Sequence, residues 1–293
     1  TLMAPTYSHT LLNFLKQEVE KYFETEPHSN FTDTKIKEKI ISLINGRREN
    51  TDINIVSEPP TEYETKSKVT FVDLFAGAGG LSEGFTRAGF NPIAHVEMNK
   101  DDCDTIKTRT AYHWLKRNKK AKIYIDYLKS EVKNKEELWR KVPEHLIKAV
   151  INKEISEESL PEIFNIIDKE LNGQEVDLII GGPPCQAYSI VGRARKDMES
   201  DPRNHLYKHY VKFLEKYNPK MFVFENVPGI LSAKNGEFLE KIKEAIDKAG
   251  YNVEHKTLTS KDFGVLQNRR RVILIGWKKS KKLEYPTFDK FPF

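Results

Sequence analysis

The sequence predicts an α/β protein built on a doubly wound, mostly parallel sheet. From Lys68 onward, apolar runs of strand length alternate with tight turns and amphipathic helical stretches, the rhythm of a parallel sheet covered on both faces. Runs such as residues 176–180, apolar but for Asp177, and 221–224, apolar throughout, read as strands buried on both faces. Glycine-rich or carboxylate-bearing segments follow these runs directly, at the strand ends where open sheets hold their ligands.

The elements follow in order. Residues 1–67 read as a helical extension and linker. Leu11, Leu12, Leu15, Val19, Tyr22 and Phe23 form one apolar stripe, and Ile36, Ile40, Leu43 and Ile44 a second. The polar stretch around Pro59-Pro60 reads as the linker. Stripes at this spacing ordinarily pack as a cover on the main domain, with a partner-binding module as the alternative. The domain at 68–293 opens with a strand at 69–74, the turn Phe75-Ala76-Gly77-Ala78-Gly79-Gly80, a helix at 81–88 stopped by Gly89, and a second strand at 92–96 ending in Glu97. A helix at 101–118 leads to an expected third strand at 122–125, ending in Asp126. Residues 127–175 are rich in Lys and Glu, with a helical stripe of Leu138, Val142, Leu146 and Val150, and read as a helical insertion. The strand at 176–180 then runs into Gly181-Gly182-Pro183-Pro184-Cys185-Gln186. A polar basic segment, 187–204, precedes a helix to Tyr217 and a strand at 221–224 that ends in Glu225-Asn226-Val227. A helix at 237–249 and strands at 253–258 and 272–275 complete the pattern.

Composition narrows the class. The 293 residues are 31% charged and 38% hydrophobic, an ordinary globular balance, and the net charge of +5 permits a polyanionic partner without demanding one. Cys103 and Cys185 are too few for a disulfide framework and suit a reducing compartment. No apolar run approaches the ~20 residues of a membrane span, and no secretory signal or repeat is visible.

Chemistry concentrates at strand ends. The Pro-Pro pair biases its preceding residues toward extended backbone, which holds the Cys185 thiol in place just past a strand. A lone intracellular cysteine is either a buried structural residue or a nucleophile. Gly77, Gly79 and Gly80 allow a tight turn and close approach of backbone N–H groups to a ligand at a helix N-terminus. A dinucleotide fingerprint would need glycine where Ser82 stands, so a ligand without a pyrophosphate fits better. S-adenosylmethionine is such a ligand. Glu97, twenty residues after Gly77, stands where a carboxylate takes ribose hydroxyls. Asp126, at the end of the expected third strand, would take the adenine amino group. Glu225 shares the rim of Cys185 and is a general acid or base candidate. Arg269 and Arg271 alternate and so face the same way if extended.

Taken together, Asp73-Leu74-Phe75-Ala76-Gly77-Ala78-Gly79-Gly80, Gly182-Pro183-Pro184-Cys185-Gln186, Asp201-Pro202-Arg203-Asn204-His205-Leu206, Glu225-Asn226-Val227 and Gln267-x-Arg269-x-Arg271 resemble, in this order, the motifs of the cytosine-5 DNA methyltransferases. The resemblance covers about residues 68–293. It implies the Rossmann-like sheet of S-adenosylmethionine-dependent methyltransferases. It also implies a cofactor site of Phe75, Ala76, Gly77, Gly79, Gly80, Leu81, Glu97, Met98, Asp126, Pro184 and Leu206, with S-adenosyl-L-homocysteine as product and no metal. The catalytic set would be Cys185 as thiolate on cytosine C6, Glu225 at N3, and Arg271 at O2 with Arg269 beside it. Asn226 is expected to order its loop rather than meet the base. The base must be flipped out of the duplex, under a lid whose Gln186, Ser189, Arg193, Arg195 and Lys196 face DNA.

The sequence departs from the family in two ways. Tyr124-Ile125-Asp126 lacks the family's Gly before Asp, and the target recognition region and last two motifs are not present. The expectation is therefore a double-stranded-DNA methylase of the restriction-modification type, in a prokaryotic cytoplasm, whose sequence recognition comes from a further segment or a second subunit. Alternatives are an RNA methyltransferase of the same family and a non-catalytic DNA-binding relative. An amino-methyltransferase would carry an aromatic after Pro-Pro, where Cys185 stands.

Overall fold

The computed structural model describes residues 69–129, 134–184 and 205–288. The expected extension at 1–67, and Cys185, Gln186, Ser189, Arg193, Arg195 and Lys196, lie outside the described residues. The described chain forms a seven-stranded sheet in the order β3-β2-β1-β4-β5-β7-β6. Strands β1 (Thr70–Leu74), β2 (Asn91–Glu97), β3 (Val150–Asn152), β4 (Leu178–Gly181) and β5 (Met221–Asn226) run parallel. Strand β7 (Arg270–Lys278) is antiparallel both to β5 and to β6 (Tyr251–Thr259). The sheet is thus doubly wound and mostly parallel, as the alternation of runs and turns requires.

Both faces of the sheet are covered. Val72, Leu74, Ala94, Val96, Ile179, Phe222 and Phe224 pack on one side with residues of helices Leu160–Leu171, Leu206–Tyr217 and Glu237–Lys248. Phe71, Ile180, Val223 and Ile275 pack on the other with Phe85 of helix α1 (Gly80–Arg87). This alternation along each strand follows from the period-2 geometry of β structure. Tyr210, fully buried, sets its hydroxyl 3.1 Å from the carbonyls of both Ile179 and Val223, tying β4 to β5. At the amino ends, the buried Asp177 carboxylate accepts from the Thr70 amide at 2.8 Å and from Lys220 Nζ at 2.6 Å, fixing the starts of β1, β4 and β5.

The third strand departs from expectation. Residues 122–125 are not a strand: they belong to helix α3 (Ala121–Leu128), which follows helix α2 (Lys100–Arg117). Ile123, Tyr124 and Tyr127 pack with Trp114 and Leu115 of α2, and Tyr124 lies 4.9 Å from Tyr112, centroid to centroid. A short apolar run is ambiguous between strand and helix, and this tertiary contact decides for helix. Asp126 is therefore a helical residue, not a strand-end carboxylate. The true third strand is Val150–Asn152, inside the stretch expected to be helical insertion. The helices between α2 and β3 are α3, α4 (Lys135–Trp139) and α5 (Glu144–Lys148), so the insertion begins and ends earlier than 127–175. Helix α6 (Leu160–Leu171) is instead the ordinary crossover to β4.

Gly276 of β7 lies against Phe222 of β5, and a Cβ there would fall on the Phe222 ring. Gly276→Ala should lower stability by about 1–3 kcal/mol, the usual cost of overpacking a close-packed core, read as a reduced urea midpoint with an unchanged slope.

Candidate active site

The carboxyl ends of β1, β2, β4 and β5 share one rim because these strands are parallel. Antiparallel β7 brings its first residues to the same rim, where Val272 pairs with Asn226 and Ile273 with Glu225. This is how Arg269 and Arg271, remote in sequence, reach Glu225. Arg271 Nε lies 2.7 Å from Glu225 Oε1. Arg269 contributes a second positive charge to the same carboxyl. Its backbone N–H donates to Ser260 Oγ at 3.0 Å, and its carbonyl accepts from Ser260 N at 2.9 Å, anchoring the entry to β7. Arg270, between them, is exposed, so the alternation read from the sequence holds.

Burial raises the Glu225 pKa above its ordinary value, and the Arg271 and Arg269 charges oppose this only in part. The carboxyl therefore keeps its proton to higher pH than an exposed glutamate, which suits a proton donor. Gly182 makes the arrangement possible. A Cβ at Gly182 would stand 2.9 Å from Glu225 Oε2 and 3.1 Å from the Glu225 carbonyl. Gly181 similarly has no room for a side chain: a Cβ there would fall on the Leu74 carbonyl of β1. The buried Asn226 donates from Nδ2 to the Pro183 carbonyl at 3.0 Å and accepts from Val227 N at 2.9 Å. It ties the Pro183-Pro184 turn to β5, in keeping with a loop-ordering residue.

The second half of the rim is the glycine turn. Phe75, Gly77 and Gly79 take positive φ of 54°, 52° and 75°, so the chain reverses tightly between β1 and α1. Glu97 Oε2 accepts from Gly77 N at 2.8 Å, and Oε1 from Asn99 N at 2.7 Å. The carboxylate is thereby fixed, with lone pairs left over for hydroxyl donors. Nothing lies within 4 Å of a Cβ built on Gly77, so the turn faces open space. Met98, beside Glu97, is 63% exposed and presents an apolar surface at the same place. These features fit a nucleoside with an aliphatic, charged tail: a carboxylate for ribose, an apolar platform and a turn open to backbone approach.

Sequence reasoning missed Asn152, the last residue of β3. Its Nδ2 donates to the carbonyls of Glu97 at 3.1 Å and Met98 at 2.8 Å, bracing the turn that carries both. The only signal is its place after a strand, and the sequence pattern puts that strand elsewhere. Cys103 is buried, points its thiol at the Glu97 carbonyl at 3.3 Å, and has a pKa pushed up to about 11, first by burial and then by the Glu97 charge. It is a structural thiol. Gly80, Leu81 and Leu206 open α1 and helix α7 (Leu206–Tyr217), and Ala76 donates its N–H to the Val96 carbonyl at 3.2 Å. Pro184 is the last described residue before Cys185.

Comparison with known proteins identifies the lineage. The family model described as "C-5 cytosine-specific DNA methylase" matches residues 69–139 and 143–292, and the chain belongs to this family. It is 42% identical over 248 residues to the type II methyltransferase M.Bpa9945I of Bacillus paralicheniformis, covering 75% of this chain and 56% of that protein. It is 32% identical over 218 residues to the type II methyltransferase M1.HphI of Haemophilus parahaemolyticus, covering 74% of this chain and 48% of that protein. The chain thus spans about half the length of these relatives. Among solved structures, a candidate DNA modification methyltransferase from an E. coli prophage superposes with a TM-score of 0.50 at 26% identity, over 74% of this chain and 49% of that one.

The raised pKa of Glu225 makes a signed prediction. Ionising Glu225 costs the folded state, so its contribution is most favourable below the ordinary value of 4.5 and is lost as pH rises through the raised value. Glu225→Gln should therefore gain stability relative to the parent as pH rises through that window, measured by urea unfolding at several pH values. A stability difference that does not change with pH would contradict the assignment.

Proposed function

We propose that this chain is the cofactor-binding and catalytic portion of a DNA (cytosine-5) methyltransferase of the restriction-modification type. The observation that carries the proposal is Glu225, partly buried and set against Arg271, on the strand end that Gly182-Pro183-Pro184 closely approaches. An acid and a fixed cation side by side match a ring that is attacked, protonated and made to carry charge.

Cys185, the residue after Pro184, adds as thiolate to C6 of a flipped-out cytosine. Glu225 gives its proton to N3, and Arg271 holds O2 as negative charge develops there. The ring then has enamine character, with electron density at C5. S-adenosylmethionine, held by the Phe75–Leu81 turn, Glu97, Met98, Pro184 and Leu206, supplies an electrophilic methyl group. Once C5 carries the methyl group, water takes the C5 proton, the freed electron pair expels Cys185 as thiolate with cleavage of the C6–S bond, and N3 returns its proton to Glu225. Arg269 adds to the positive potential at Glu225. Gln186, Ser189, Arg193, Arg195 and Lys196 face DNA in this reading. With Asp126 on α3, the carboxylate just beyond a strand end on the cofactor side is Glu154, two residues after β3. Glu154 takes the adenine amino group in this reading.

Two measurements test the proposal. Glu97→Ala should weaken S-adenosylmethionine binding by about 1.5–3 kcal/mol, the range for hydrogen bonds to a charged group, in calorimetry on the chain alone. Unchanged affinity removes Glu97 from the site. A duplex carrying 5-fluorocytosine, which has no C5 proton to lose, should trap a denaturation-resistant adduct that peptide mapping places on Cys185. An adduct formed equally by Cys185→Ser, or none on any duplex with cofactor bound, contradicts the mechanism.

A further inference from the structure

Positive charge gathers on one helical stretch of the described residues. Residues 107–129 hold eight Lys or Arg and a single acid, Asp126, which is more excess charge than the net +5 of the whole chain. The densest part is the end of α2 and the turn into α3. There Lys116, Arg117, Lys119, Lys120 and Lys122 are all exposed, within seven residues that contain no acid. Lys119 and Lys122 have no carboxylate partner among the described residues, and Lys120 only the face of a ring. By contrast, Lys100 and Lys135, at the other end of α2, both reach Asp104, at 3.2 and 2.6 Å. Lys116 acts on the Glu83 carboxylate, while like charges packed this closely at Lys119, Lys120 and Lys122 repel one another.

The aromatic residues beneath the knob order it. Lys116 Nζ stands 5.7 Å from the Tyr112 ring centroid, and Lys120 Nζ 5.5 Å from that of Trp114. Those rings are packed in turn against Tyr124 and the α3 face. Both ammonium groups sit over ring faces, which limits the freedom of these two exposed side chains. A set of cations held at fixed spacing on a rigid helical hairpin matches a partner with regularly spaced negative charge. A DNA duplex presents one phosphate charge per ~1.7 Å of axis.

The knob is not part of the catalytic rim. Helix α2 leaves that rim at Asn99 and has 18 residues, which puts its far end ~27 Å away. We propose that the α2–α3 knob is a second, sequence-independent contact to the phosphate backbone of duplex DNA, outside the target site. It keeps the protein on DNA while the catalytic rim is disengaged from a cytosine. The inference rests on the proposed function only in naming DNA as the polyanion.

The test uses the 293-residue chain and a duplex of dA and dT alone, which offers no cytosine to the catalytic rim. Lys116→Gln, Lys119→Gln, Lys120→Gln and Lys122→Gln are combined in one variant. Its affinity should fall by about tenfold or more at low salt, and its slope of log K against log salt should shrink by roughly 0.9 for each phosphate no longer neutralised. The same four positions changed to Arg should retain binding. A second variant with the same reduction of charge on other faces, Lys208→Gln, Lys241→Gln, Lys248→Gln and Lys261→Gln, should bind within about twofold of the parent. Equal S-adenosylmethionine affinity in all variants reports an intact fold. Unchanged binding by the first variant, or an equal weakening in the second, overturns the proposal. Failure of the parent to trap 5-fluorocytosine would sink the catalytic reading and leave this comparison standing.

Discussion

The site depends on one close approach. The end of β4 passes between β1 and β5 with no side chain to hold it off: Gly181 lies against the Leu74 carbonyl and Gly182 against the Glu225 carboxyl. A side chain at Gly181 would fall on the Leu74 backbone and force β4 from β1, and one at Gly182 would displace the Glu225 carboxyl. This contact brings the Pro183-Pro184 turn to β5, where Asn226 fastens it by its hydrogen bond to the Pro183 carbonyl. The same strands are fixed at their other ends by Asp177, Thr70 and Lys220. Register set at one end of a short strand is preserved at the other, so this buried cluster helps place the rim without touching it.

Electrostatics at the rim follow from geometry. Glu225 is largely withdrawn from water, which favours its neutral form, while Arg271 favours its anion. Burial is the larger effect. The outcome is a carboxyl group that holds its proton to higher pH than an exposed glutamate, beside a guanidinium. Glu97, beside the glycine turn, has different partners. It accepts from two backbone N–H groups and stays available to hydroxyls. One sheet edge thus holds two glutamates with different work because their partners differ.

The sheet and most of this rim are legible in the sequence. Apolar runs of strand length bounded by Gly, Pro or a carboxylate read as strands, and the residues after them fall at strand ends, as at Glu97, Gly182 and Glu225. The third strand is not legible. Lys122-Ile123-Tyr124-Ile125 alternates like a strand, yet its aromatic residue is taken up by α2. The real strand is three residues long, and Val150 continues what looks like a helical stripe. Asp126 leaves the strand-end set for that reason, and Asn152 is missed for the same one. The pairing of Glu225 with Arg271 is foreseeable only in part. Alternation of Arg269 and Arg271 gives their common direction, but the antiparallel return of β7 along β5 is a tertiary fact.

The central claim is that the missing side chain at Gly182 sets the catalytic position of Glu225. The most direct measurement is Gly182→Ala, assayed for both cofactor affinity and the rate of adduct formation with 5-fluorocytosine DNA. Cofactor affinity should fall several-fold less than the adduct rate, because Glu97 and the Gly77 turn are on other strands and only Pro184 of the cofactor set follows Gly182. The adduct rate should fall by about tenfold or more, since a methyl 2.9 Å from Oε2 must push the carboxyl aside and small misplacements of a reacting group are costly. An unchanged adduct rate, or a parallel fall in both quantities, would contradict the account.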